Sequence, residues 1–368
     1  MNQTTTSEHK KEIGELLKEI ANLQAKKHPL LRDGIFPSTR EHRFLPYHRI
    51  DENIFLSAAI CFLLQRFRPL LTTAQQRLAD DICQKVTACY PYYRKNTERE
   101  TYNFFEHKPN AHFPHGILAH RLQFLRPADD VDDTSLIYLT SKKNERQVAW
   151  LKNKLPQHAN ISSGKQIGHT FPHYSHLQAY STFFGEKMYI EFDCCVLSNL
   201  LMLLLNSEQP LNQHDLDSLK YITSVIEKEE HISSPFVVAP SYPRSSHILY
   251  HTSRLVHVTH RPEVFPLRKA LVKSVRKELE NPPRNEMDRL LLSISAKRLN
   301  IPIPPTIAGF KKSQIIKEDF FYVSLWSLSS SPKFRKLDKL AFFQVRFRCR
   351  AFNLALLMEN HLLSAGNH

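Results

Sequence analysis

Two stretches of this chain are apolar on nearly every side. Residues 51–67 carry Ile54, Phe55, Ala58, Ala59, Cys61, Phe62 and Leu63, and residues 189–205 end in a greasy run from Val196 to Leu205 that only Ser198 and Asn199 interrupt. A helix that is hydrophobic all round must be buried. One with a single apolar stripe lies against a core and turns its other face to water. Each greasy stretch is followed by one of the second kind: 73–90, with Leu78, Ile82 and Val86 facing inward, and 214–228. The alternation continues with 247–259 as an inner helix, 265–279 as a basic outer one, and 287–299 after them. Such alternation is what two concentric shells of helices require. The period predicts about ten to twelve helices and no clear strand. Residues 320–326 read as a strand or a helix, and 337–363 as one or two helices. Glycine agrees with this: there are 8 in 368 residues, where usage near 7% is ordinary. So few argue against a turn-rich sheet protein. No GxGxxG or GxxxxGKS/T occurs, so a nucleotide fold has no support.

One short run interrupts the greasy pattern. Pro127-Ala128-Asp129-Asp130-Val131-Asp132-Asp133-Thr134-Ser135 places four carboxylates in five positions. As a surface turn the run would be ordinary, because proline and acids both suit the first turn of a helix. Its neighbours say otherwise. Leu122, Phe124 and Leu125 precede it, and Leu136, Ile137, Tyr138 and Leu139 follow, so the acids are expected to face an interior. Crowding and burial both raise a carboxyl pKa. An acid held protonated near neutral pH can deliver a proton.

Asp130-Val131-Asp132-Asp133-Thr134 matches the DxDDT motif of class II terpenoid cyclases, the group that includes squalene–hopene cyclases, and the chain resembles that family there. The resemblance implies an α/α toroid with the motif at the top of the barrel, beside an oily cavity. It also implies a middle aspartate that protonates an alkene or epoxide and so starts carbocation cyclisation. On this sequence Asp132 is the acid, and Asp130 and Asp133 support its protonated state. Phe113, His173, Tyr180 and His251 are the expected cavity residues, from segments rich in aromatics and histidine. Protonation needs no cofactor, while Mg would accompany a diphosphate substrate. Two features depart from the family. There are only two tryptophans, Trp150 and Trp326, so the Gln…Trp repeat is absent, and the chain is too short for two barrels. The fold expected is therefore all-α, an (α/α)6 toroid as a single barrel over residues 46–368. Residues 1–45 form an N-terminal helix and loop, and Trp150 packs inward.

A second resemblance points to the same superfamily. Asp193 and Cys195, in Glu191-Phe192-Asp193-Cys194-Cys195, and His251, in Tyr250-His251-Thr252, resemble the zinc ligands of protein prenyltransferase β subunits. Asp, Cys and His are all zinc ligands, though buried cysteines are also common core residues. This alternative implies zinc and a helical partner subunit. Two further alternatives are a non-catalytic toroid that serves as a binding scaffold, and a glycosidase using Asp132 with Asp193.

Lysine and arginine number 50 against 36 acids, a net charge of +14. The excess suggests an anionic partner such as a diphosphate or an acidic membrane surface. Its wide spread argues against nucleic acid. The densest groups, Lys333-Phe334-Arg335-Lys336 and then Arg346, Arg348 and Arg350, read as an exposed face. Six cysteines without a CxxC pair suit a reducing compartment. The longest apolar runs, 55–64 and 196–205, fall short of the roughly 20 residues that cross a bilayer. The expectation is a cytoplasmic protein that binds an isoprenoid or another hydrophobic small molecule and touches membrane only peripherally. The oligomeric state is left open.

Overall fold

The computed structural model describes residues 3–95, 100–107, 112–116, 119–122, 126–141, 144–185, 188–324, 337 and 340–365. In chain order the elements begin with α1 (Gln3–Leu23), β1 (Ser38–His42), β2 (His48–Asp51), α2 (Ile54–Phe67) and α3 (Thr73–Thr87). Next come α4 (Val131–Thr140), α5 (Glu145–Lys154), α6 (Cys194–Leu205), α7 (Gln213–Glu227) and the short α8 (Glu230–Ser233) and α9 (Pro235–Val238). The chain continues through α10 (Ser245–Val258), α11 (Phe265–Glu280), α12 (Glu286–Arg298) and the short α13 (Pro305–Ala308) and α14 (Lys312–Ile315). It closes with β3 (Phe321–Ser324), β4 (Gln344–Arg348) and α15 (Arg350–Ala365).

Six helices close a ring: α2 packs on α4, α4 on α6, α6 on α10, α10 on α12, α12 on α15, and α15 back on α2. Two of them, α2 and α6, are the all-round apolar segments. Every residue of α6 is buried, as is almost every residue of α2. Amphipathic helices lean on the ring from outside, α3 on α2, α7 on α6, α11 on α10 and α12, and α1 on α15. A buried ion pair between Arg298 and Glu359 joins α12 to α15. The Tyr250 hydroxyl on α10 donates to the same Glu359 at 3.0 Å, so three inner helices meet at one point.

Helix starts follow from side-chain caps. Asn53 accepts from the Leu56 amide to start α2. Reciprocal capping boxes start α3 (Thr72 with Gln75), α5 (Asn144 with Gln147) and α7 (Asn212 with Asp215). The greasy segment from 189 becomes helical only at Cys194, because Asp193 caps it. Among the described residues, no helix is long and apolar enough to cross a membrane.

Among the described residues there are four strands, and three of them, β1, β2 and β4, depart from the sequence expectation. The four form one antiparallel sheet in the order β2-β1-β4-β3. Its register sets Arg40 opposite Phe347, and Phe347 opposite Phe321. The β1 and β2 sequences, STREH and HRID, carry almost no apolar residues, so no period-2 signal marked them. β2 pairs only with β1, and the other partner of β1, β4, lies some three hundred positions away, beyond the reach of any local rule. The segment expected to be helical over 337–363 is therefore a strand followed by α15. The segment at 320–326 is the strand β3 as far as Ser324, while Trp326 lies outside the described residues.

The division at 45/46 falls inside the β1–β2 hairpin. Ile13, Leu16, Leu17 and Ile20 of α1 belong to the same continuous core as the ring. Trp150 also departs from expectation. It is 36% exposed on α5, which buries Val148 and Leu151 instead. Arg346 and Arg348 stand on β4 and pair with Asp319 and Glu41. The basic run at 333–336 lies outside the described residues, as do Phe124 and Leu125.

Candidate active site

The acidic run is held between two extended segments. The Asp130 amide donates to Tyr102 O at 3.1 Å and the Val131 amide to Thr182 O at 2.8 Å, while the Phe184 amide donates to Asp129 O at 2.9 Å. The Thr134 hydroxyl accepts from the Tyr102 amide at 3.0 Å and donates to Asp130 O at 2.6 Å. This clamp stops α4 from extending backwards and fixes where each acid points. Asp130 is the N-cap, and its Oδ1 accepts from the Asp133 amide at 2.7 Å.

The four acids then diverge. Asp129 turns away from the others. Its carboxylate accepts from Thr101 Oγ1 at 2.7 Å and pairs with His107 Nε2 at 3.1 Å. Burial would raise its pKa, but the bonds from His107 and Thr101 outweigh burial and hold it below the usual value. Asp130 is pushed up to about 7, by burial first and by the neighbouring carboxylates. Asp133 is pushed up further, again by burial and then by Asp130. Its Oδ1 is buried without a hydrogen-bond partner. Asp130 and Asp133 therefore ionise in sequence, with the proton retained on Asp133 as a second buried charge beside Asp130 is resisted.

Asp132 has a different environment. Its Oδ1 accepts from Asn199 Nδ2 on α6 at 2.5 Å, and its Oδ2 lies 2.5 Å from the Tyr242 hydroxyl, just ahead of α10. On α10, Arg254 Nη2 donates to Asn199 Oδ1 at 2.5 Å and to His251 Nδ1 at 3.0 Å. Since guanidinium can only donate, Asn199 Oδ1 must be the acceptor and Asn199 Nδ2 the donor. Asp132 Oδ1 is thereby committed as an acceptor, and any proton on this carboxyl must sit on Oδ2. Burial raises the Asp132 pKa, while Tyr242, Asn199 and the Arg254 charge counter the rise. Burial, with Arg254 nearby, also holds the His251 imidazole far below its usual pKa and so neutral.

Asp130, Asp132 and Asp133 line a cavity of about 100 Å³. That is smaller than the roughly 300–1,000 Å³ usual for small-molecule sites. The rest of its wall is mostly ring faces: Phe55 from α2, Phe104, Phe105, Phe113 and Phe183 from the clamp loops, and Tyr242. The sheet supplies one side through Phe321 and Val323 of β3 and Val345 and Phe347 of β4. Phe321 and Phe347 stack with centroids 4.7 Å apart, and Phe104 meets both edge to face. Glu191 also lines the wall.

The structure separates the residues expected at the cavity. Phe113 lines it. Tyr180 does not: it is buried against α7, where its hydroxyl donates to Asn212 and Asp215. His173 is an outer residue, half-exposed, paired with Glu230 at 3.0 Å and stacked on Phe171. His251 lies behind the wall, its ring 5.0 Å from Tyr242, and touches the Asp132 network through Asn199 and Arg254. The zinc set does not fit a metal. Asp193 gives Oδ1 to the amides of Cys195 and Val196, at 2.8 and 3.2 Å, and Oδ2 to the Ser241 amide at 2.8 Å. Among the described residues, no three of His, Cys, Asp or Glu are grouped as metal ligands.

Sequence reading missed Asn199, Tyr242 and Arg254. A signal existed for two of them: Asn199 is a lone amide in an otherwise greasy helix, and Arg254 follows His251 by three positions, on the same face.

No protein-family model matches the sequence, and no curated protein does. Among solved structures, the type II terpene cyclase MstE from Scytonema, in its apo form, is similar over 98% of each chain, with a TM-score of 0.53 and 11% sequence identity. The ring of inner and outer helices is thus the toroid fold of a type II terpene cyclase.

Proposed function

We propose that the protein is a terpene-cyclase-like enzyme that starts cyclisation of a linear isoprenoid by proton transfer from Asp132. The observation that carries this reading is a buried carboxyl at the wall of an aromatic cavity, with Oδ1 fixed as an acceptor by Asn199 and Oδ2 bonded to the Tyr242 hydroxyl, the one oxygen on which a proton would sit. In the first step Asp132 Oδ2 gives its proton to one carbon of an alkene, or to an epoxide oxygen. A C–H or O–H bond forms, and the adjacent carbon becomes a cation. The next double bond attacks that carbon and closes a ring, and loss of a proton or capture of water ends the sequence.

The residues around Asp132 suit the charges this creates. The carboxylate left behind is stabilised by the Tyr242 hydroxyl, the Asn199 amide and the buried Arg254 charge, which makes Asp132 a stronger acid than burial alone would allow. The cation is opposite the faces of Phe55, Phe104, Phe321 and Phe347, whose quadrupoles attract positive charge. Asp133, protonated beside Asp130, avoids adding a further negative charge next to the acid. The substrate class, and any diphosphate on it, are part of the proposal and not of the fold.

The test is incubation of the purified chain with a panel of linear isoprenoid alkenes and their diphosphates, with products separated by gas chromatography and mass spectrometry. Cyclised product of unchanged elemental composition, or one water heavier, is expected from the wild type and not from Asp132→Asn. Equal product from both proteins would refute the assignment.

A further inference from the structure

A second site lies on the outer shell, where α7 packs against α11. Glu229 is left-handed, with φ 57°, and turns the chain sharply at the end of α7. The short helix α8 then carries His231 back over that end. Burial pushes the His231 imidazole down to about 4, so the ring is neutral at pH 7 and carries a single N–H. The Glu229 amide donates to Ile226 O at 3.1 Å, so the ladder of α7 passes over Val225 O. His231 Nδ1 lies 3.4 Å from that carbonyl. A carbonyl can only accept, so the proton is on Nδ1 and Nε2 is left as an acceptor. Its partner is the Ser274 hydroxyl of α11, at 2.7 Å.

A buried serine bonded to a histidine is often packing alone. This serine opens on a groove. Together with Ile226, Phe265, Pro266, Lys269 and Lys273 it lines a space of about 690 Å³, within the roughly 300–1,000 Å³ usual for small-molecule sites. None of these residues lines the aromatic cavity. A hydroxyl within reach of a base, and a third group that holds the base in the right tautomer, is the arrangement that makes serine a nucleophile. Phe265, 57% exposed, gives the groove an apolar lip. Lys269 and Lys273 give it positive charge, which suits the oxyanion that forms when an acyl carbon is attacked. Of the acids at the groove, Glu229 is taken by Lys277 at 2.7 Å, and Glu227 belongs to α7.

We propose that Ser274 is the nucleophile of a second, ester-hydrolysing site in this groove, with His231 as its base. Ser274 Oγ bonds to the acyl carbon of a carboxylic ester while its proton passes to His231 Nε2. The acyl C–O bond breaks, and that proton leaves with the alcohol. Water then adds to the acyl carbon through the same base, the bond to Oγ breaks, and a carboxylic acid and free serine result. The site shares no residue with the proposed cyclisation, so either can fail without the other.

The test is incubation of the full chain with an alkyl fluorophosphonate, read by peptide mass spectrometry, and with 4-nitrophenyl acetate, read by release of nitrophenolate. The phosphonyl group should appear on Ser274 of the folded protein and not on Ser274 of the chain unfolded in urea. Ser274→Ala should lose both the label and the hydrolysis. His231→Gln keeps an acceptor for the serine but no base, and should slow both about a hundredfold. Circular dichroism melts establish that each variant is folded. A folded wild type without label on Ser274 would overturn the proposal, and so would equal labelling of the unfolded chain. Neither comparison needs a variant. A labelled protein that releases no nitrophenolate above background would also overturn it, as would undiminished rates in either folded variant.

Discussion

Asp132 and Asp193 both stand at the start of a buried inner helix, Asp132 in the first turn of α4 and Asp193 at the cap of α6. Both are buried, and burial raises the pKa of each. Their partners set them apart. Asp193 is held by three backbone amides, so it is a fixed piece of the scaffold that orders α6 and the turn at Ser241. Asp132 is held by two side chains, Asn199 and Tyr242, and reaches the cavity. The same residue type at nearly the same helical position is a cap in one place and, on the proposed function, the proton donor in the other. Burial does not separate the two roles; the donors and the open side of the carboxyl do.

Substitution should separate them further. The largest effect is expected from Asp132→Asn, which removes the proton donor and should cut turnover by about 10³-fold or more, while the melting temperature is kept. The converse is Asp193→Ala, which strands three amides, two of them at a helix start. It should cost about 3 kcal/mol in urea unfolding. An Asp193→Ala protein as stable as the wild type would break the contrast.

Tyr242→Phe is expected to act next. It removes a donor to the Asp132 carboxylate, so the acid weakens and its pKa rises. Turnover should fall about tenfold, and the alkaline limb of its pH profile should move up by about one unit. An unmoved limb would mean that the hydroxyl does not bear on the acid.

The smallest effect is on stability against pH. Asp130 and Asp193 are raised to about 7 from 3.8. The folded chain thus binds protons that the unfolded chain releases. Their contribution to stability is complete below about pH 4 and is lost as pH rises through 7. Asp133→Asn takes one carboxyl out of the crowded pair and keeps the cap at Asp130. It should make the chain about 2 kcal/mol more stable at pH 8 and flatten the slope between pH 5 and 8. A variant less stable than the wild type at pH 8 would contradict the assignment of a shared, strained pair.

The helices were legible because their signal is local. The all-round apolarity of α2 and α6 and the single stripes of α3 and α7 dictate which shell each occupies, and three acids of the run expected to face an interior, Asp130, Asp132 and Asp133, line the cavity. The sheet was not legible. Arg40 is buried on β1 by an ion pair with Asp51 and by its place across from Phe347, and neither fact is visible in the sequence STREH. Assigning individual aromatics and histidines from loops also fell short. Tyr180 and Phe113 come from similar stretches, yet one packs on α7 and the other on the cavity. That choice depends on how the loops cross the ring. The donors to Asp132 come from α6 and from the turn ahead of α10, so only closure of the ring brings them together.

The measurement that bears most directly on proton donation by Asp132 is turnover of a linear isoprenoid alkene in deuterium oxide. Cyclised product from the wild type should carry one deuterium at the carbon protonated first, and Asp132→Asn should yield no labelled ring. A cyclised product free of deuterium, or equal labelling by the variant, would contradict it.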